Sequence, residues 1–190
     1  HTRRADGRNA LYHYTSRIAE LFSPQLLIVE NVPTIIHDHS NIVSQVTSDL
    51  RSLEYFVDQA TIPLMNIGLP QRRRRHIIIA SKTPFSIPNA LKAQPTTEPC
   101  IRHFIYDIKD ECFDATDLYR TPSRMSTTNL GRAQYLLAKD LYDLPNEMRP
   151  PCHSQKRHSY RSMYGRLHWD RPAQTITSGF GSMGQGRYMH

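Results

Sequence analysis

Cysteine is nearly absent from this chain: Cys100, Cys112 and Cys152 are three residues in 190, at no disulfide or metal spacing. An odd, sparse set excludes a disulfide scaffold and fits a reducing compartment. No apolar run approaches the length of a membrane span, and no secretory signal is visible, so a cytoplasmic place is expected. Glycine is scarce too, with eight residues, and none forms a dinucleotide fingerprint behind a strand. The glycine-rich segment Gly179–Arg187 reads as a flexible loop. His37-Asp38-His39, and Cys152-His153 with His158, are incomplete ligand sets, and no metal centre is expected. Acidic side chains are outnumbered, 17 against 24 Lys and Arg, for a net charge of +7. That balance favours a polyanionic partner, most simply nucleic acid.

What is present is organised around one stretch, Gly68-Leu69-Pro70-Gln71-Arg72-Arg73-Arg74-Arg75-His76-Ile77-Ile78-Ile79-Ala80-Ser81. Gly68 and Pro70 punctuate the chain. Ile77 to Ile79 are β-branched without alternation, which predicts a strand covered on both faces. Side chains two apart on an extended segment share a side, so Gln71, Arg73 and Arg75 are expected to project together, opposite Arg72 and Arg74. Guanidiniums beside an amide form a fork of donors for phosphate or a base edge. A nuclear-localisation signal is the alternative for four arginines, but such signals lie in polar sequence and do not run into an isoleucine strand.

Around this stretch the pattern is α/β. Leu11, Ile18, Leu21 and Phe22 recur at helical spacing, after a possible cap at Asp6 or Asn9, and Pro24 ends the segment. Leu26 to Val29 predict a short strand in the centre of a parallel sheet, with Glu30 and Asn31 at its carboxyl end, where open sheets bind ligands. Ile42, Val46, Leu50, Leu53 and Val57 predict a second helix, started by Asp38 or Ser40. A short strand near Ala60 then leads to the arginine strand in a crossover pattern. After Ser81, prolines break up the segment to Cys100; Ile101 to Ile108 reads as a strand and Gln134 to Tyr142 as a short helix. Arg149, Lys156, Arg157, Arg161 and Arg166 then mingle with His153, His158, Tyr160 and Tyr164, a composition suited to phosphate contact and base stacking.

Three stretches together resemble the cytosine-5 DNA methyltransferases: Glu30-Asn31-Val32 at a strand end, Gly68-x-Pro70-Gln71-x-Arg73-x-Arg75 before a strand, and Arg171-Pro172-x-x-Thr175-Ile176-Thr177 near the end. The resemblance implies a partial Rossmann-like, S-adenosylmethionine-dependent sheet over residues 1–81. An irregular target recognition domain over 82–160 and a return segment over 161–190 would follow. It implies methyl transfer to carbon 5 of a flipped-out cytosine in double-stranded DNA. In that chemistry a cysteine thiolate adds to carbon 6, and negative charge spreads to N3 and O2. The family's glutamate, here Glu30, donates to N3 in its protonated form, which burial at a strand end would favour. Arg75 takes the base or its O2, and Arg73 positions the base and adjoining backbone. Gln71, Arg157, Arg161, Arg166 and Thr175 are the expected DNA contacts, with Thr175 acting by orienting backbone. Asn31, Val32, Arg171, Pro172 and Thr177 carry structural motifs.

The resemblance also places the cofactor's glycine-bearing loop, the Pro-Cys nucleophile and the family's last motif outside these 190 residues, leaving the cofactor-binding residues unassigned. The chain is therefore expected to be part of a longer enzyme, near the bacterial nucleoid, inactive alone and matched to a restriction endonuclease. The rival readings are a non-catalytic DNA-binding remnant or split subunit, and a transfer-RNA cytosine-5 methyltransferase.

Overall fold

A computed structural model of the chain describes residues 7–92, 99–108, 116, 124–155 and 162–190. It divides into two compact units, His1–Gly68 with Arg73–Thr96, and Leu69–Arg72 with Thr97–His190.

The elements of the first unit are α1 (His13–Phe22), β1 (Leu26–Asn31), α2 (Ile42–Ser52), β2 (Phe56–Pro63), β4 (Arg74–Ser81) and α3 (Ile87–Lys92). They form a three-stranded sheet with α1 and α2 on one face. The order is β1-β4-β2, and both neighbours run antiparallel to β4. β1 and β2 are thus parallel to each other, joined through α2 with the arginine strand inserted between them. The crossover survives, but β1 lies at the edge of the described sheet, not at the centre of a parallel one. β4 has the central place, but its burial alternates: Ile78 and Ala80 are fully buried while Ile77 and Ile79 are half-buried, so among the described residues the cover expected on both faces is complete on one. Leu27, Val29, Val57, Ile78 and Ala80 pack with Tyr12, Ala19, Val46 and Leu50 on the helical side. On the other face, Leu26, Ile28 and Phe56 are exposed.

Helix α2 buries Ile42, Val46 and Leu50 as its periodicity predicts, but it ends at Ser52, so Leu53 caps it and Val57, expected on the same face, belongs to β2. It begins after Asn41 in a left-handed conformation and has no side-chain cap. Asp38 lies just upstream, accepting from Ser40 N–H at 2.9 Å and from Asn9 Nδ2 at 2.6 Å, and the Ile42 N–H at the start of α2 also acts on its carboxylate; α1 begins after Tyr12 with no side-chain cap, and Asp6 lies outside the described residues. Helix α1 exposes Ile18, Leu21 and Phe22, with Leu11 also exposed just before it. Periodicity located the helix and mistook its buried side, which carries Ala19.

Gly68 (φ 85°) closes a 3-10 turn over Leu64–Ile67 in the left-handed region, which favours glycine. The second unit begins beyond it with β3 (Gln71–Arg72), and continues through α4 (Arg102–Ile105), α5 (Thr127–Ala138), α6 (Pro151–Ser154), β5 (Gly165–Arg166), β6 (Ala173–Gln174) and β7 (Arg187–Met189). β3 pairs in parallel with β6, and β5 with β7. Ala133, Leu136, Leu144, Met163, Tyr164 and Met183 form its core.

Three local expectations fail in this unit. Residues 101–108 are helical, as α4 and a 3-10 turn over Tyr106–Ile108; Ile101, Phe104, Ile105 and Ile108 recur at helical, not strand, spacing. The helix expected at Gln134 to Tyr142 starts seven residues earlier, capped by Ser126, whose side chain accepts from Asn129 N–H at 3.3 Å, and it ends at Ala138. The glycine-rich end is packed: Met183 is buried and its carbonyl accepts from Tyr164 N–H at 2.7 Å.

Candidate base-capture site

The register brings Glu30 opposite Ile77, making Arg75 its diagonal neighbour on the same face. Glu30 Oε1 and Arg75 Nε meet as an ion pair. The Nε–H is buried and lacks the alignment of a hydrogen bond, so the contact is ionic. Arg75 also donates from Nη1 to Arg74 O at 2.9 Å. Its side chain is 15% exposed while that of Glu30 is 55% exposed, so the burial expected for Glu30 is not present in this unit. The arrangement is a half-sunk guanidinium holding an accessible carboxyl at the carboxyl end of β1. Together they can face a planar group that needs one donor–acceptor edge and one cationic donor.

Asn31 Oδ1 accepts from Val32 N–H at 2.7 Å, a side-chain-to-backbone bond that fixes the turn after Glu30. Tyr12, absent from the sequence reading, lies buried beside this turn. Burial raises its phenol pKa; the Asn31 side chain opposes that shift and the Glu30 charge adds to it. Its hydroxyl nevertheless reaches no partner with hydrogen-bond geometry. Val29, Asn31, Val32 and Tyr12 line an open cavity of about 460 Å³ there. A second unanticipated pair is His76 Nε2 with Gln59 Oε1 at 3.0 Å. Its signal was legible: a lone His inside an apolar strand, one residue out of phase with Arg75.

Arg73 is half-buried, and its carbonyl accepts from Leu64 N–H at 2.7 Å, fixing the strand's approach. Gln71, Arg73 and Arg75 are all half-buried, whereas Arg72 and Arg74 are exposed, the alternation expected of an extended segment.

In the second unit, Thr175 Oγ1 donates to Arg72 O at 3.0 Å, and Ala173 N–H to Pro70 O at 2.7 Å, so the late motif grips the backbone leading to the arginine strand. Arg171 is exposed, its carbonyl taken by Ile101 N–H, and Pro172 is buried. Thr177 Oγ1 meets Tyr188 Oη at 2.8 Å. Arg166, expected at the DNA surface, is buried instead. Its Nη1 donates to Asp140 Oδ1 at 3.1 Å and to Leu136 O at 3.4 Å, and the guanidinium lies over the Tyr142 ring. Its charge is spent inside the unit, where it ties α5 to β5. Arg149 Nε is likewise held by Leu144 O at 3.0 Å, and Tyr164 is buried. Lys156, Arg157, His158, Tyr160 and Arg161 lie outside the described residues, as does Cys112.

A family described as C-5 cytosine-specific DNA methylase matches residues 1–182. The chain belongs to that family. It is 46% identical over its whole length to the Type II methyltransferase M1.BsuMI of Bacillus subtilis (strain 168), of which it covers 44%. It is 27% identical to the Type II methylase M.HgiDII of Herpetosiphon aurantiacus, covering 92% of this chain and 51% of that one. The chain therefore spans about half the length of these curated relatives. A crystal structure of a putative DNA modification methyltransferase encoded within a prophage (E. coli) superposes with a TM-score of 0.51 at 18% identity, over 90% of this chain and 57% of that one, which shows the α/β methyltransferase fold.

The family implies S-adenosylmethionine, and Gly179 and Gly186 of the glycine-rich segment do not fit its cradle. A Cβ on Gly179 would come within 2.7 Å of the Gln185 side chain, and one on Gly186 would overlap the Tyr188 ring. The chain's own side chains fill the space that a glycine-lined cofactor loop leaves open. No helix among the described residues is long and apolar enough to cross a membrane.

Proposed function

We propose that this chain supplies the base-capture edge and part of the recognition module of a DNA cytosine-5 methyltransferase. The observation that carries the reading is the Glu30–Arg75 pair at the carboxyl end of β1. Cytosine's N3, exocyclic amine and O2 form a planar edge that matches this pair. Glu30, when protonated, donates to N3 with one oxygen and accepts from the amine with the other, and Arg75 donates to O2. When a nucleophile adds to carbon 6, charge builds on N3 and O2, where these two groups lie in wait. The base must be extruded from the duplex to reach them. No step through the methyl donor is assigned to these residues, and the thiol nucleophile is taken to come from outside the chain, because in the family's motif order it precedes the Glu-Asn-Val strand, whereas Cys100, Cys112 and Cys152 all follow the arginine strand.

The substrate is double-stranded DNA, which suits the net charge of +7. Arg73 and Gln71 flank the captured base, and Arg157 and Arg161 are the proposed backbone contacts. The relatives' names, Type II methyltransferase and Type II methylase, support a restriction–modification setting, and a cognate endonuclease and a cytoplasmic place beside the chromosome are proposed with it. Glu30→Gln in the intact enzyme tests the assignment: the amide cannot serve as an acid, and methyl transfer should fall by roughly a hundredfold or more while DNA affinity is kept. Methyl transfer at the normal rate by that variant would overturn it.

A further inference from the structure

Among the described residues of the second unit, Phe180 is the most exposed large apolar side chain, at 61%. A single exposed apolar residue is ordinary on a protein surface. What sets Phe180 apart is a backbone that keeps the ring from folding inward. Phe180 N–H donates to Thr177 O at 3.1 Å, Ser182 N–H to Gly179 O at 3.0 Å, and Gln185 N–H to Ser182 O at 3.0 Å, three turns in succession. Tyr188 Oη donates to Gln185 O at 3.0 Å and so accepts from Thr177 Oγ1 at 2.8 Å. One phenol therefore clasps the loop at both ends. The Gln185 side chain lies against Gly179, and Met183, just past the tip, is buried. The loop is built to hold Phe180 out.

Its place in the chain suggests what the ring meets. The loop follows Thr175, whose hydroxyl holds the Arg72 carbonyl. Ile176, at the root of the loop, is exposed as well. Arg72, in β3, and Arg171, two residues before β6, are exposed in the same unit. Guanidiniums suit backbone phosphates, and a rigid apolar tip suits the stack of bases between them. A stable protein interface would need an area of roughly 1,000 Å² or more. Phe180 and Ile176 stand among glycines, serines and threonines, and offer no such patch.

We infer that Phe180 is a wedge that enters the base stack of the DNA when the target cytosine is extruded. The inference rests on the DNA reading above and adds a residue to it. Extrusion costs the stacking of the base on its neighbours. An aromatic ring in the gap restores part of that stacking and raises the population of the extruded state without touching the extruded base. Every base has a face to stack on, so Phe180 favours extrusion and does not choose the site.

The test uses the intact enzyme. Bisulfite sequencing of plasmid DNA modified by it gives the target site, and a duplex of that site then carries 2-aminopurine in place of the target cytosine. The fluorescence of 2-aminopurine rises as it leaves the stack. Phe180→Ala should cut that rise and weaken duplex binding roughly tenfold, the worth of one stacked ring. The salt dependence of binding should stay as it was, because no phosphate contact is lost. Phe180→Trp should keep both the rise and the affinity. A wild-type rise and affinity in Phe180→Ala would overturn the inference. So would a loss of affinity with the rise intact, which marks a surface contact, or a melting temperature several degrees lower, which marks a ring packed inside the enzyme. Normal methyl transfer by Glu30→Gln would sink the capture assignment and leave these readouts standing, whereas DNA with no modified cytosine would sink both.

Discussion

Arg166→Met separates a strut from a DNA contact. The side chain of Arg166 is 9% exposed and that of its partner Asp140 is 86% exposed. Methionine keeps the apolar stem that packs beside Tyr142 and removes only the guanidinium. A charge-assisted hydrogen bond contributes roughly 1.5–3 kcal/mol when sheltered. Here it is discounted because Asp140 regains full hydration when released. The guanidinium over the Tyr142 ring, 5.2 Å from its centroid, adds about 1 kcal/mol. Against this, Arg166 Nε is buried without a partner, and removing it relieves a cost of about 1 kcal/mol. The balance is a destabilisation of about 1–2 kcal/mol, a fall of several degrees in the melting temperature of a domain this size. DNA binding should keep its salt dependence, whereas loss of one phosphate contact would lower the slope of log K against log salt by about 0.9. The assay is a thermal melt paired with a salt titration of duplex binding. An unchanged melt with a slope smaller by about one would refute the burial argument and return Arg166 to the DNA surface.

Three further outcomes follow from the packing and the titrating groups. Ile78, at 0% exposure in the middle strand, should cost about 2–5 kcal/mol when cut to Ala, read from urea unfolding; a loss under about 1 kcal/mol would mean the site collapses freely or the strand is not central. His76, His168 and His190 have pKa values lowered by burial, so below 6.5 the unfolded chain takes up protons that the folded chain refuses. Stability should therefore fall on acidification below 6.5, and His76→Gln should flatten part of that decline; a midpoint that rises as the pH drops would contradict it. Gly186→Ala should push aside the Tyr188 ring, break its bonds to Thr177 and to Gln185 O, and speed amide exchange across Gly179–Gln185, while unaltered exchange would show that the ring has room to move.

What the sequence disclosed depended on the range of the interaction concerned. The arginine strand was legible because four charges running into three isoleucines leave few alternatives. Helix α2 was legible from Ile42, Val46 and Leu50. Sheet polarity was not, since an apolar run such as Leu26 to Val29 suits a parallel or an antiparallel neighbour equally. Nor was the pairing of Glu30 with Arg75, which depends on a register set by residues far apart in the chain. Arg166 misled because charge predicts exposure only until a local acceptor such as Asp140 or the Leu136 carbonyl claims it. The helical turn at Ile101 to Ile105 was missed because β-branched and aromatic content was weighed above the helical spacing of Ile101, Phe104, Ile105 and Ile108; the amides of Ile101 and Arg102 are taken by the carbonyls of Arg171 and Trp169, far downstream.

The middle strand of the first unit is the last of its three to be synthesised. β1 and β2 do not pair with each other; among the described residues both pair with β4, with Ser81 closing against Leu26 and Phe56 at once. A nascent chain halted before Arg74 would hold both strands without the one they share. Joining them is therefore a late event, slowed by its non-local pairings. A truncation or frameshift within β4 would strip β2 of its described partner and leave apolar residues in want of a chaperone.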